Sequence, residues 1–165
     1  MLDTIQNKQT KQQNTNQMVQ WSDDLSYGVE AMDNDHKVMI SLVNRMHTIA
    51  ADNKDGFDVK LLLAKLAEYA ILHFRREEIV METCLYPDYE SHMDYHHKLE
   101  MQVFALLKNK DKKFSRQETN DLLLFLSDWL YDHISTVDRT MTPYVANYLD
   151  QITIALKDTK AVQDL

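Results

Sequence analysis

The stretch Ala70-Ile71-Leu72-His73-Phe74-Arg75-Arg76-Glu77-Glu78-Ile79-Val80-Met81 places an imidazole and a carboxylate four residues apart. Four residues make about one helical turn, so both heads lean the same way if the stretch is a helix. Around them Leu62, Leu66, Tyr69, Ala70, Val80 and Met81 recur with a helical period, which puts His73 and Glu77 on the face that packs inward. A buried ionised carboxylate needs a partner. No Lys or Arg shares that stripe, since Arg75 and Arg76 point elsewhere, and the simplest partner is a metal ion. The chain must therefore fold so that other segments bring further ligands to this turn.

The rest of the sequence supplies helices to do so. Two Gly and two Pro in 165 residues leave few turns and argue for an all-α protein. Residues 1–17, rich in Gln, Asn, Thr and Lys, read as a disordered polar tail. From Met18 an aromatic segment with Trp21, Tyr27 and Gly28 reads as an ordered arm, with Trp21 as a packing anchor. A first helix is expected from about Asp33 to Asn53, carrying His36, Met39, Ile40, Val43, His47 and Ala50 on one face and ending at Asn53-Lys54-Asp55-Gly56. The second runs from about Asp58 to Cys84 and is broken at Tyr86-Pro87. The third, about Tyr89 to Asn109, carries His92, His96, Leu99, Val103 and Leu106. After a basic connection, Lys108 to Lys113, Ser115 with Glu118 three residues on forms a capping box for a fourth helix with Leu122, Leu126, Trp129, Leu130, His133 and Ile134. Pro143 opens a further helix to about Lys157. Four helices of some 20 residues with short connections make an up-down-up-down four-helix bundle over residues 18–140, with an N-terminal arm and a C-terminal helical extension over 141–165.

Collecting the polar residues of the inward faces gives His36, His73, Glu77, His92, His96 and His133, followed by Asp138. A lone imidazole on an apolar face is more often a hydrogen-bonded core residue than a ligand. Five in one layer would need five acceptors if neutral and would repel if charged, whereas metal ions satisfy them together with both carboxylates. Seven ligands exceed the four of a tetrahedral zinc site, and the seam has no sulfur. Two ions are needed. Mixed imidazole and carboxylate ligation suits iron, with manganese or cobalt also admissible on ligand type. If both carboxylates and one solvent oxygen bridge, a three-to-two division of the imidazoles makes one ion six-coordinate and leaves the other an open position.

At this point the chain resembles the hemerythrins, and in particular the single-domain bacterial hemerythrins. The resemblance lies in the succession His36, then His73 with Glu77, then His92 with His96, then His133 with Asp138, and in the flanking Trp21 segment, Met32-Asp33-Asn34-Asp35-His36-Lys37, the Tyr86-Pro87 turn and Trp129-Leu130-Tyr131-Asp132-His133-Ile134. It covers about residues 18 to 140. The resemblance implies an oxo- or hydroxo-bridged pair of iron ions: His92, His96 and His133 hold the saturated one, His36 and His73 the one with the open position, and Glu77 and Asp138 bridge. It further implies reversible dioxygen binding, for carriage, storage or delivery, in a pocket of Met39, Phe74, Trp129 and Leu130. Met39 stands where the family more often has a branched aliphatic side chain. His133 and Asp138 are five residues apart, about 140° on a regular helix, so aiming both at one point predicts a π-type turn or a helix end between them.

Other classes fit less well. The net charge of -8 argues against nucleic acid or an anionic membrane surface as partner. No apolar run approaches a membrane span, the first twenty residues lack the apolar centre of a secretory signal, and the lone Cys84 suits a reducing compartment; the expectation is a cytoplasmic protein. Ferritin-like oxidases use Glu-x-x-His repeats, and no Glu here has a His three residues later. A non-enzymatic oxygen binder therefore ranks first, serving an oxygen-consuming client protein. A sensor or scavenger acting through a partner ranks second, and a peroxidase-like enzyme third. The sequence leaves the oligomeric state open. Outside the seam, His47 reads as a core or end-of-bundle residue, His97 as solvated, Cys84 as packed and Asp33 as an outer acceptor for His36.

Overall fold

The structure, a computed structural model, describes residues 18–52, 56–108 and 114–157. The expected tail over residues 1–17, the break at 53–55 and most of the basic connection fall outside them. Four long helices follow an arm that contains a 3-10 turn at Asp23–Leu25: α1, Glu30–Ala51; α2, Gly56–Thr83; α3, Tyr89–Leu107; and α4, Arg116–Asp132. The order of side chains along them fixes the topology. Among the described residues two apolar clusters form, one containing Met39, Phe74, Leu99 and Leu130, the other Met32, Val80, Tyr86 and Met141. Along α1 and α3 the chain passes from the second cluster to the first, and along α2, and along α4 and the turns that follow it, from the first to the second. Neighbours in sequence are therefore antiparallel, and the polar residues of each helix fall between its two apolar stretches. The bundle is up-down-up-down, with a polar layer dividing its core.

Helix ends follow local chemistry with a few departures from expectation. Ser115 and Glu118 make the reciprocal capping box: the Glu118 amide donates to Ser115 Oγ at 3.2 Å and the Ser115 amide to Glu118 Oε2 at 2.8 Å. α1 begins at Glu30, three residues before the expected Asp33, because Gly28 at φ +97° reverses the arm and lets Val29 serve as N-cap. Gly56 opens α2 instead of closing the preceding turn. On α3, Leu106 is exposed, and Leu107 packs partly against the core in its place. After α4 the chain makes a π-turn, His133–Val137, a 3-10 turn, Asp138–Met141, and two further helices, α5, Thr142–Val145, and α6, Leu149–Lys157. The extension is thus broken at 146–148 instead of running continuously from Pro143. α6 packs on α2 and adds Ile152 and Leu156 to the second apolar cluster.

The turn after α2 holds the only non-glycine residue with positive φ among those described, Leu85 at 53°. Its amide donates to Glu82 O, and the Tyr86 amide to Met81 O at 2.9 Å, a Schellman closure that glycine fills without steric cost. Leu85 is 74% exposed, so its side chain contributes little packing in return. Leu85→Gly is expected to stabilise the fold by about 1 kcal/mol, raising the melting temperature by roughly 2–4 °C for a chain of this size; a lower melting temperature would contradict the assignment.

Candidate metal centre

α1 contributes His36, α2 His73 and Glu77, α3 His92 and His96, and the start of the π-turn His133. All are buried, as is Asp138 at the turn's end. The π-turn supplies the geometry that a regular helix denies: the Asp138 amide donates to the His133 carbonyl, and the extra residue brings Asp138 round beneath His133. Asp138 Oδ1 then lies 3.2 Å from His133 Nε2. The expected departure from α-geometry is present at this position.

The five Nε2 atoms converge on the two carboxylates. His36 Nε2 is 3.1 Å from Asp138 Oδ2, and His92 Nε2 is 3.4 Å from Asp138 Oδ1. His96 and His73 Nε2 lie 3.2 and 3.5 Å from Glu77 Oε2. Ligand-capable atoms fall into two groups, each within 4.8 Å: one from His92, His96 and His133, the other from His36 and His73, with Glu77 and Asp138 common to both. The seven residues picked from the sequence thus come together, divided three to two about two shared acids.

The protein does not satisfy these groups itself. Both ring nitrogens of His36 and His133, both oxygens of Asp138, His73 Nε2 and Glu77 Oε2 are buried without a hydrogen-bond partner. Such concentrated orphaning is rare in a folded interior, and metal cations accepting these nitrogen and oxygen lone pairs would relieve it. The donor set fits metal. Electrostatics agree: burial would raise both acids, but the surrounding imidazoles hold Glu77 well below the usual carboxylate range. Asp138, raised by burial and by Glu77, is brought down to about 2 by His133, His36 and His92. Burial drives His133 down to about 3, leaving it neutral.

Of the four residues expected to form a small-molecule pocket, two stack on histidines of the layer. Phe74 stacks on His96 at 3.8 Å between ring centroids, and Trp129 stacks on His133 at 5.1 Å. Met39 and Leu130 are fully buried in the same cluster as Phe74. His47 stays out of the centre, 2.8 Å from Ser127 Oγ, and His97 is exposed. Cys84 is a packed residue whose thiol burial pushes up. Asp33 accepts from Ser26 Oγ at 2.6 Å and makes no hydrogen bond to His36, so the outer acceptor proposed for that ring is absent.

Three participants escape a reading by period alone. Asp35, next to His36, faces α2 and meets His73 Nδ1 at 3.4 Å, Tyr69 and Arg76. Arg76 is buried there, not turned to solvent. Tyr27, from the arm, donates to Glu77 Oε1 at 3.4 Å. The adjacency of Asp35 to His36 and of Arg76 to Glu77 was the available signal; for Tyr27, in a segment without periodicity, there was none.

Known proteins place this arrangement. The chain is 32% identical over 111 residues to the bacteriohemerythrin of Methylococcus capsulatus, covering 67% of this chain and 83% of that one. It is 28% identical over 133 residues to the bacteriohemerythrin of Pseudomonas aeruginosa, covering 80% of each. A crystal structure of wild-type hemerythrin superposes with a TM-score of 0.67 at 27% identity, over 78% of this chain and 98% of that one. The sequence profile of the hemerythrin HHE cation binding domain matches residues 27–145, and the chain belongs to the hemerythrin family.

Proposed function

We propose that the chain binds two iron ions in the paired clusters and takes up dioxygen reversibly, as a carrier, store or delivery protein. The observation that carries this reading is the division of five imidazoles, three and two, about two shared buried carboxylates. His92, His96 and His133 with the two acids would hold a fully ligated ion; His36 and His73 with the same acids would hold one short of a ligand. Glu77 and Asp138 would bridge. The chemistry supplied by a ferrous pair is reversible two-electron exchange with dioxygen.

The chain's own residues favour release over cleavage. Met39, Phe74 and Leu130 are fully buried and keep water from the layer. The hydroxyl that meets Glu77, that of Tyr27, is pushed well above its ordinary range by burial and by Glu77, so it holds its proton and serves poorly as a general acid. No helix among the described residues is long and apolar enough to cross a membrane.

The test is spectroscopic. The reduced iron-loaded protein is expected to be nearly colourless, to gain a visible band in air, and to lose it when oxygen is removed, over repeated cycles. One-way oxidation with no reversible band, even in stopped flow, would overturn the carrier reading in favour of a sensor, scavenger or peroxidase-like enzyme.

A further inference from the structure

Of the five imidazoles, His73 alone has its outer nitrogen against a protein carboxylate among the described residues. Its Nδ1 lies 3.4 Å from Asp35 Oδ2, whereas the Nδ1 atoms of His36, His92, His96 and His133 are buried without a hydrogen-bond partner. Asp35 is itself 6% exposed. Its Oδ2 also accepts from Arg76 Nε at 2.7 Å and lies 2.6 Å from Arg76 Nη2, and its Oδ1 accepts from the Tyr69 hydroxyl at 2.8 Å. Tyr69, His73 and Arg76 are spaced by four and three residues, so one face of α2 grips a single side chain of α1.

This arrangement acts on His73 in two ways. A proton on Nδ1 donated to Asp35 leaves the Nε2 lone pair free toward Glu77, 3.5 Å away. A ligating imidazole held in this manner has its tautomer and ring plane fixed and is a better donor. Arg76 and Tyr69 occupy the remaining lone pairs of Asp35, so the carboxylate cannot turn away from the ring or swing into the layer as a ligand. The three-histidine cluster has no such support.

We propose that Asp35, clamped by Arg76 and Tyr69, is a positioning residue for His73, and that retention of metal in the two-histidine cluster, but not in the three-histidine cluster, depends on it. The inference rests on the reading that each cluster holds one ion. Anaerobic titration of the full chain with cobalt(II), followed by visible absorption and by metal per chain after desalting, tests it. Wild type takes up two equivalents. Asp35→Ala keeps the first with unchanged affinity and binds the second ~10–100-fold more weakly, the usual effect of losing an outer-shell partner. Asp35→Asn, which retains an oxygen acceptor for the Nδ1 proton, recovers part of that loss, a response that a purely structural role does not give. Two equal affinities in Asp35→Ala and Asp35→Asn, whether both unchanged or both weakened, overturn the inference alone. A wild-type chain that binds fewer than two equivalents overturns the two-ion reading and this inference with it.

Discussion

Glu77→Ala is expected to leave the chain with less than one tightly held iron ion, while His97→Ala should keep the wild-type content. Glu77 Oε2 stands 3.2 Å from His96, 3.5 Å from His73, 3.7 Å from His92 and 3.9 Å from His133, so one oxygen faces both clusters. Its removal would take a ligand from each and leave Asp138 as the one carboxylate between the two clusters. The loss of affinity should exceed the ~10–100-fold that follows loss of an outer-shell partner. The His97 side chain, 72% exposed, touches none of this and serves as the control. A colorimetric iron assay after desalting decides the matter: equal iron in the two variants removes Glu77 from the centre.

Stripping the metal should have the second large effect. At a thousandfold excess over its dissociation constant, each ion contributes about 4 kcal/mol to folding, which for this chain length corresponds to roughly 8–16 °C in melting temperature per ion. The effect depends on pH with a definite sign. Without metal, burial alone would lower the His92 imidazole, but the facing carboxylates of Asp138 and Glu77, 3.4 and 3.7 Å from its Nε2, carry it up to about 9 from 6.5. A group raised in the folded state contributes stability that is complete below 6.5 and lost as pH rises through 9. Asp138, lowered from 3.8 to about 2, contributes stability present above 3.8 and lost as pH falls through 2. Metal must displace the proton that His92 holds at neutral pH, so its binding strengthens as pH rises from 6.5 to 9. The gap between the melting temperatures of the iron-loaded and metal-free protein should widen across that interval. A gap that narrows over the same range would show that His92 carries no proton in the metal-free chain.

The long helices and six of the polar residues, His36, His73, Glu77, His92, His96 and His133, were legible because burial follows a fixed period, and a polar group on the apolar stripe contradicts that period conspicuously. Asp138 lies off that period: its spacing from His133 fits no straight helix, and the misfit itself located the π-turn. Asp35 and Arg76 were not legible. Each follows or precedes a seam residue by one position, which turns it about 100° away from the seam, and a sequence gives no sign of what covers that flank. Here α1 and α2 cover each other's flanks, so Asp35 and Arg76, both off the seam, meet as a buried ion pair. Asp33 had been the natural acceptor for His36 by proximity along the chain, yet a neighbour in the arm, Ser26, claims it. The arm's contribution through Tyr27, and the docking of α6 on α2, depend on tertiary contacts that no periodic pattern encodes.

The surplus residue in the His133–Val137 turn also sets the phase of everything after it. Met141 and Val145 enter the second apolar cluster on a rotation counted from Asp138 and not from His133. Deleting one residue of the turn, Thr136 for instance, would restore a continuous helical repeat and carry the downstream chain round by about 100°. Asp138 would leave the layer, and in the same movement Met141 and Val145 would face water. The C-terminal segment and the centre are thus keyed to a single register: an insertion or deletion tolerated in an ordinary surface helix would here uncouple an acid from the histidines and a helix from the core at once.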